Sequence, residues 1–237
     1  MRIKIRFLGT LNDFLRYNQR NRRFAHCVDG RPAVMDTLES LGVPHTEIGR
    51  IQVGTRIVQS TYHLQNGDAI TVWPIRARKT KIRPKFILDV HLGKLARLLR
   101  MLGFDVLYQN QYADHDIVAI AESQKRIVLT RDIGLLKHKK IRRGYWLRET
   151  DPRKQLREVL VRFALKSRVR PFSLCLECNG KLKRVGKESV LNKLPLRTRQ
   201  YFRKFYRCNQ CGRIYWPGSH YANMKAFIER EVGHRIV

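Results

Sequence analysis

Four of the five cysteines fall in two C-x-x-C pairs, Cys175-Leu176-Glu177-Cys178 and Cys208-Asn209-Gln210-Cys211, with 29 residues between them. Paired knuckles of this kind offer four thiolates at the spacing of a tetrahedral Zn²⁺ site. Four thiolates leave no open coordination position, so the expected zinc is structural, worth about 10–16 kcal/mol of apparent folding energy. A thioredoxin-type redox site uses one such pair, not two. His220 is then not needed as a ligand, and the remaining Cys27 reads as a small buried hydrophobe.

A second chemistry is written in acids. Asp89 closes a short apolar run, Asp132 follows another, and Asp114 and Asp116 open the helical pattern between them. In a parallel sheet such positions gather beyond the carboxyl ends of the strands. Clustered carboxylates repel one another and are tolerated when a divalent cation neutralises them. Mg²⁺ or Mn²⁺ held there can polarise a phosphodiester and activate a bound water. The competing explanation is capping, because aspartate is common at strand ends and helix starts. Asp114 and Asp116 cannot both cap one helix, which leaves an acid over. Asp151, before Pro152, is explained fully as an N-cap.

Basic residues stand beside these acids. Lys94, Arg97 and Arg100 are three apart on one helix, opposite its apolar residues, and Arg131 precedes Asp132. Between the cysteine pairs, Arg197, Arg199, Arg203, Lys204 and Arg207 interleave with Tyr201, Phe202, Phe205 and Tyr206. That mixture suits phosphate contact combined with base stacking, although a ribbon strand must also bury some of its aromatics.

Three segments must position these groups. In the first, Ile3 to Phe7 alternates as a strand, Arg16 to Arg23 is a polar loop, and Ala33 to Leu41 has helical periodicity up to Gly42. Short strands follow at Arg50 to Val53, Arg56 to Val58 and, after Asn66-Gly67-Asp68, Ala69 to Trp73. This order suggests a β-grasp domain over residues 1–76. A basic linker, 77–84, follows. In the second segment, 85–169, strands at 85–88, 104–108, 126–130 and 145–147 alternate with helices at 93–102, 115–124 and 152–164. Alternation of this kind predicts a parallel α/β sheet. The last segment, 170–237, is poor in apolar residues and is expected to need its metal staple.

The stretch Asp89-Val90-His91-Leu92-Gly93-Lys94-Leu95-Ala96-Arg97-Leu98-Leu99-Arg100, together with Leu129-Thr130-Arg131-Asp132, resembles the PIN-like domain of the Mut-seven C-terminal RNase family. Leu41-Gly42-Val43-Pro44-His45-Thr46-Glu47 and Asn66-Gly67-Asp68 resemble the ubiquitin-like domain that precedes that RNase domain. Tyr215 to Tyr221 is similar to the family's C-terminal motif. The resemblance implies a central PIN-like domain, a C-terminal zinc ribbon, Asp89 and Asp132 as metal ligands, and either Asp114 or Asp116 as the central ligand. His91 occupies a position where an apolar residue is expected. Relatives of the ubiquitin-like domain that carry sulfur end in a free Gly-Gly. Here the segment ends Trp73-Pro74-Ile75-Arg76 and continues, so a binding or scaffolding role is expected instead.

The balance of 49 Lys+Arg against 19 Asp+Glu gives a net charge of +30 over 237 residues. A surface tuned only for solubility does not need so much self-repulsion, and a polyanion partner is the expectation. The charge is +9 over residues 1–83, +6 over 84–150 and +15 over 151–237. The chain has neither a membrane-length apolar run nor a signal-peptide opening, so a cytoplasmic, membrane-free protein is expected. Two functions follow. One is a metal-dependent ribonuclease acting at the PIN-like aspartates. The other is a factor that docks on rRNA, tRNA, mRNA or the ribosome, with a weak or idle nuclease site. A DNA-binding regulator is less favoured, since no recognition helix stands out.

Overall fold

The computed structural model describes residues 1–76, 83–233 and 235, so most of the expected linker at 77–84 lies outside the described residues. In chain order the regular elements are β1 (Arg2–Phe7), β2 (Phe24–Cys27), α1 (Val34–Ser40), β3 (Ile48–Val53), β4 (Arg56–Val58) and β5 (Ala69–Pro74). Next come β6 (Lys85–Leu88), α2 (Gly93–Met101), β7 (Asp105–Leu107), α3 (Asp114–Gln124), β8 (Ile127–Thr130), α4 (Ile133–Leu136) and β9 (Gly144–Trp146). The chain continues through α5 (Pro152–Arg162), β10 (Leu182–Val185), α6 (Leu196–Tyr201), β11 (Phe205–Cys208), β12 (Ile214–Tyr215) and α7 (Ser219–Val232). Two compact units result: Met1–Ala77 with Ala113–Leu147, and Arg78–Tyr112 with Arg148–Val237. Among the described residues no helix is long and apolar enough to cross a membrane.

In the first unit, strict alternation along β1 turns Ile3, Ile5 and Phe7 into the core and its basic residues outward. The sheet order is β2-β1-β5-β3-β4, with β1 parallel to β5 and antiparallel to β2. Val34 and Leu38 of α1 close the core over Ile51, Ile70 and Val72. This is the ubiquitin-like β-grasp that the strand and helix order predicts. Cys27 corrects the expectation of burial: β2 lies at the sheet edge and leaves this residue exposed.

The same unit holds a parallel pair, β8 with β9, in which Val128, Leu129 and Thr130 face Gly144, Tyr145 and Trp146. The motif that marks the ubiquitin-like domain is what docks it here. Glu47 is buried, and its Oε1 accepts the backbone N–H of Trp146 at 2.9 Å. His45 bridges Glu39 Oε1, at 2.6 Å, and the carbonyl of Ile141, at 2.7 Å. Phe14 packs against the Trp146 ring with centroids 5.0 Å apart.

In the second unit β6 and β7 pair in parallel as well, so both strand pairs of the α/β segment are parallel, as the alternation of strand and helix predicts. Leu95, Ala96 and Leu99 bury one face of α2, which packs on α5. Asp151 caps α5 by accepting the N–H groups of Arg153 and Lys154, and Pro152 sits where no N–H is missed. The last segment forms a three-stranded sheet in the order β10-β11-β12, with Phe205, Val190 and Leu194 as its small core. Helix α7 follows, where the pattern of the sequence predicted no element. Arg157 of α5 meets Glu231 of α7 through two hydrogen bonds, at 2.6 and 2.9 Å.

Candidate metal centre and strand-end acids

The four thiols of Cys175, Cys178, Cys208 and Cys211 all lie within 4.8 Å of one another. They could hold a structural metal such as zinc, as the knuckle spacing predicts. Each knuckle is a tight turn at a sheet end. The amide of Cys175 bonds the carbonyl of Gly180 at 2.7 Å, and Asn179 takes a left-handed backbone. Gly180 must be glycine, because a Cβ there would stand 2.6 Å from the Cys208 sulfur.

The donors fit a soft cation. Burial raises the Cys175 thiol, but hydrogen bonds from the Tyr215 hydroxyl and the amides of Cys178 and Glu177 outweigh it and bring the thiol down to about 7. The Tyr215 hydroxyl lies 3.1 Å from that sulfur. Burial and the crowding of neighbouring thiols push Cys178 up to about 12, and burial raises Cys211 as well. Four thiols that cannot all ionise side by side are what a divalent cation would reconcile. Among the described residues no group of three acids closes to the same degree.

The first knuckle is anchored by a residue that the sequence placed elsewhere. Arg100 is expected on the basic stripe of α2, available to RNA, yet it is only 3% exposed. Its guanidinium donates to the carbonyl of Val106 at 2.9 and 3.0 Å, and to those of Leu176 and Glu177 at 3.1 and 2.6 Å. Burial lowers its pKa, with the Cys175 and Cys178 thiols and Glu177 opposing that shift. Asn179 completes the joint through Val106 and Asp105. Lys94 and Arg97 do remain exposed, Arg97 pairing with Glu177 at 2.9 Å.

Each aspartate sits where its element predicts. Asp89 follows the last residue of β6 and is 7% exposed, with Oδ1 accepting the amide of His91 at 3.0 Å. The turn leads straight into α2 at Gly93, where a Cβ would meet the Tyr108 hydroxyl at 2.6 Å. That hydroxyl donates to the carbonyl of Val90, and its pKa is raised by burial and by the Asp89 carboxylate. Asp132 caps α4, its Oδ1 accepting the amide of Gly134 at 2.7 Å. Arg131 beside it is exposed, and its carbonyl accepts the Trp146 indole N–H. Asp116, in the first turn of α3, reaches back to the amide of Ala113 at 3.0 Å, whereas Asp114 forms no side-chain bond of that kind. The acid left over by capping is therefore Asp114. His91 is exposed beside Asp89.

The basic, aromatic stretch divides in two. Phe205 is fully buried, and Phe202 packs on the ribbon core. Arg199 is half-buried, and its Nε donates to the carbonyl of Leu194 at 2.8 Å. Arg197, Arg203, Lys204 and Arg207 are exposed, as is Tyr201 at 74%.

The family described as the Mut7-C RNase domain matches residues 84–228, and the one described as Mut7-C ubiquitin matches residues 1–80. No curated protein and no solved structure gives a match.

Proposed function

Since this chain belongs to the Mut7-C RNase domain family, we propose that it is a divalent-metal-dependent ribonuclease with Asp89 at the centre of its chemistry. The observation that carries this reading is the placement of Asp89: a carboxylate 7% exposed, at the carboxyl end of a parallel strand, within the segment that matches an RNase domain. Mg²⁺ or Mn²⁺ held by Asp89 would polarise the phosphodiester and lower the pKa of a bound water, and Asp132 with either Asp114 or Asp116 are the further ligands that the family resemblance implies. A closed cage of acids is not required, because Mg²⁺ is commonly bound by one or two carboxylates together with substrate phosphates. Lys94 and Arg131, exposed beside Asp89 and Asp132 in sequence, would hold the RNA backbone.

Cleavage of single-stranded and structured RNA by the wild type, Asp89→Asn, Asp132→Asn and Asp114→Asn tests this. Each substitution should lower the rate by about 10²-fold or more where the carboxylate holds the metal. Undiminished cleavage by both Asp89→Asn and Asp132→Asn would remove the site. Asp116→Ala should instead cost about 1 kcal/mol of stability through its cap.

A second reading is favoured by one observation: Asp132 and Asp116 each serve a helix start, roles that stand without any metal. On that reading the protein is a cytoplasmic factor that grips rRNA or tRNA, on or off the ribosome. Co-sedimentation with ribosomal subunits at low salt, with the RNA left intact, would distinguish it.

A further inference from the structure

Within the second unit, α2, α5 and α7 enclose an open groove of about 710 Å³. Its lining includes Met101, Met224 and Phe227 together with Arg97, Arg153 and Arg230. Among the described residues no acid lines it. The guanidinium carbons of Arg153 and Arg230 each lie 5.5 Å from the centre of the Phe227 ring, so one aromatic ring is flanked by two cations. Arg153 and Arg230 are exposed, and Phe227 is half-buried.

We infer that this groove holds one nucleotide of a single-stranded RNA, next to the phosphodiester that the nuclease site would cut. The inference rests on the ribonuclease reading for what happens to the strand, while the groove's own chemistry names the ligand. Three guanidiniums outnumber the two carboxylates beside them, Glu177 at 2.9 Å from Arg97 and Glu231 at 3.8 Å from Arg230, so the groove calls for an anion, and planar guanidiniums grip phosphate through paired hydrogen bonds. An aromatic and thioether lining calls for a flat apolar face. A nucleotide supplies both, whereas an acidic peptide supplies the charge alone. The volume lies within the roughly 300–1,000 Å³ of small-ligand sites. The groove also lies along the helix that follows the Asp89 turn. From Gly93, just past the Asp89 turn, Arg97 is about 6 Å along the α2 axis and Met101 about 12 Å. A strand anchored here would therefore run beside Lys94 toward Asp89.

The test is fluorescence anisotropy on the full, zinc-loaded chain without Mg²⁺, using a labelled ten-nucleotide single-stranded RNA and an abasic chain of equal length and charge. The wild type should prefer the base-bearing strand by fivefold or more, since stacking on an aromatic ring contributes about 1–3 kcal/mol per base. Phe227→Leu should erase that preference. Arg153→Gln combined with Arg230→Gln should weaken binding about tenfold or more and flatten the salt dependence by about 1.4, at about 0.7 for each lost contact to a single strand. An unchanged preference in Phe227→Leu, or an unchanged salt slope in the arginine pair, overturns the inference. Where a variant loses its zinc or its circular dichroism, photo-crosslinking of 5-bromouridine RNA to the wild type decides. Crosslinks in the α7 peptide carrying Met224 and Phe227 support the groove, and crosslinks confined to other peptides overturn it. Cleavage by Asp89→Asn is read separately. If that variant still cuts, the nuclease reading falls and the binding data judge the groove alone. If it is inert while the groove variants bind as the wild type does, the groove falls alone.

Discussion

Lys94, Arg97 and Arg100 carry one charge at one helical spacing, yet Arg100 ends against the carbonyls of Val106, Leu176 and Glu177 while Lys94 ends in water. Replacing Arg100 with Met keeps the apolar stem but leaves three carbonyls, that of Val106 buried, without their charged donor. The expected cost is about 2–4 kcal/mol in denaturant unfolding, together with easier release of zinc from the first knuckle. Lys94→Ala should cost less than about 0.5 kcal/mol and show itself in RNA affinity instead. Equal stability losses for the two would contradict the anchoring role. The spacing of three made all these residues look alike, because what separates them is a turn 76 and 77 residues further along the chain. The cysteines were legible for the opposite reason: their ligand role depends on spacing within each knuckle, which a sequence displays directly. Aspartates were half legible, since a carboxylate at a strand end serves as cap or ligand with the same local pattern, and only the bond from Ala113 to Asp116 separates Asp114 from its neighbour.

Elements followed the same logic. Period-2 and period-3.6 patterns placed β1, α1, α2 and α5 because each has one buried face, whereas β6, buried on both faces, showed itself as a short apolar run. Helix α7 escaped, for it buries only Ile228, Glu231 and Val232 near its end, and one of these is an acid. Its hold on the unit runs through that acid. The Glu231 side chain is 2% exposed, and the bidentate hydrogen bond from Arg157, aided by the charge of Arg157 and Arg230, holds its pKa below the ordinary 4.5 against the opposing effect of burial. A folded-state pKa below the unfolded one contributes stability that is present above about pH 4.5 and is lost as the pH falls through the lowered value. Unfolding midpoints of the wild type should therefore drop below pH 4.5 more steeply than those of Glu231→Gln. Near pH 7 the variant should be less stable by about 1–2 kcal/mol. Parallel pH profiles would show that α7 is held by something other than this pair.

At the scale of the molecule, a net charge of +30 raised the expectation of a polyanion but could not say which cations face it. The structure withdraws Arg100 from that role, Arg199 spends its Nε on the carbonyl of Leu194, and Arg97 and Arg157 are paired with Glu177 and Glu231. It leaves the strip Arg197, Arg203, Lys204 and Arg207 exposed around Tyr201 on the most basic segment, the one bearing +15. The ubiquitin-like domain is legible as a fold, but its attachment to β9 through Glu47 and His45 is not, since a buried acid meeting a backbone amide 99 residues away has no local signature. If the tail grips RNA, affinity is largely counterion release, and log Kd should rise with log salt in proportion to the phosphates contacted, about 0.7 for each on a single strand. Changing Arg197, Arg203, Lys204 and Arg207 together to Ala should then lower that slope by roughly 2–3. All four side chains are exposed, so the fold should tolerate the change, and zinc content and melting temperature serve as controls. A matched change at four exposed cations of the ubiquitin-like domain, Arg2, Lys4, Arg6 and Arg56, asks whether the +9 segment also touches RNA. A slope lowered by the tail variant alone makes the ribbon the grip and the ubiquitin-like domain a scaffold docked on β9. Equal lowering by both makes the flanks a shared RNA surface, and a slope unmoved by either places the phosphate contacts on α2 and the groove.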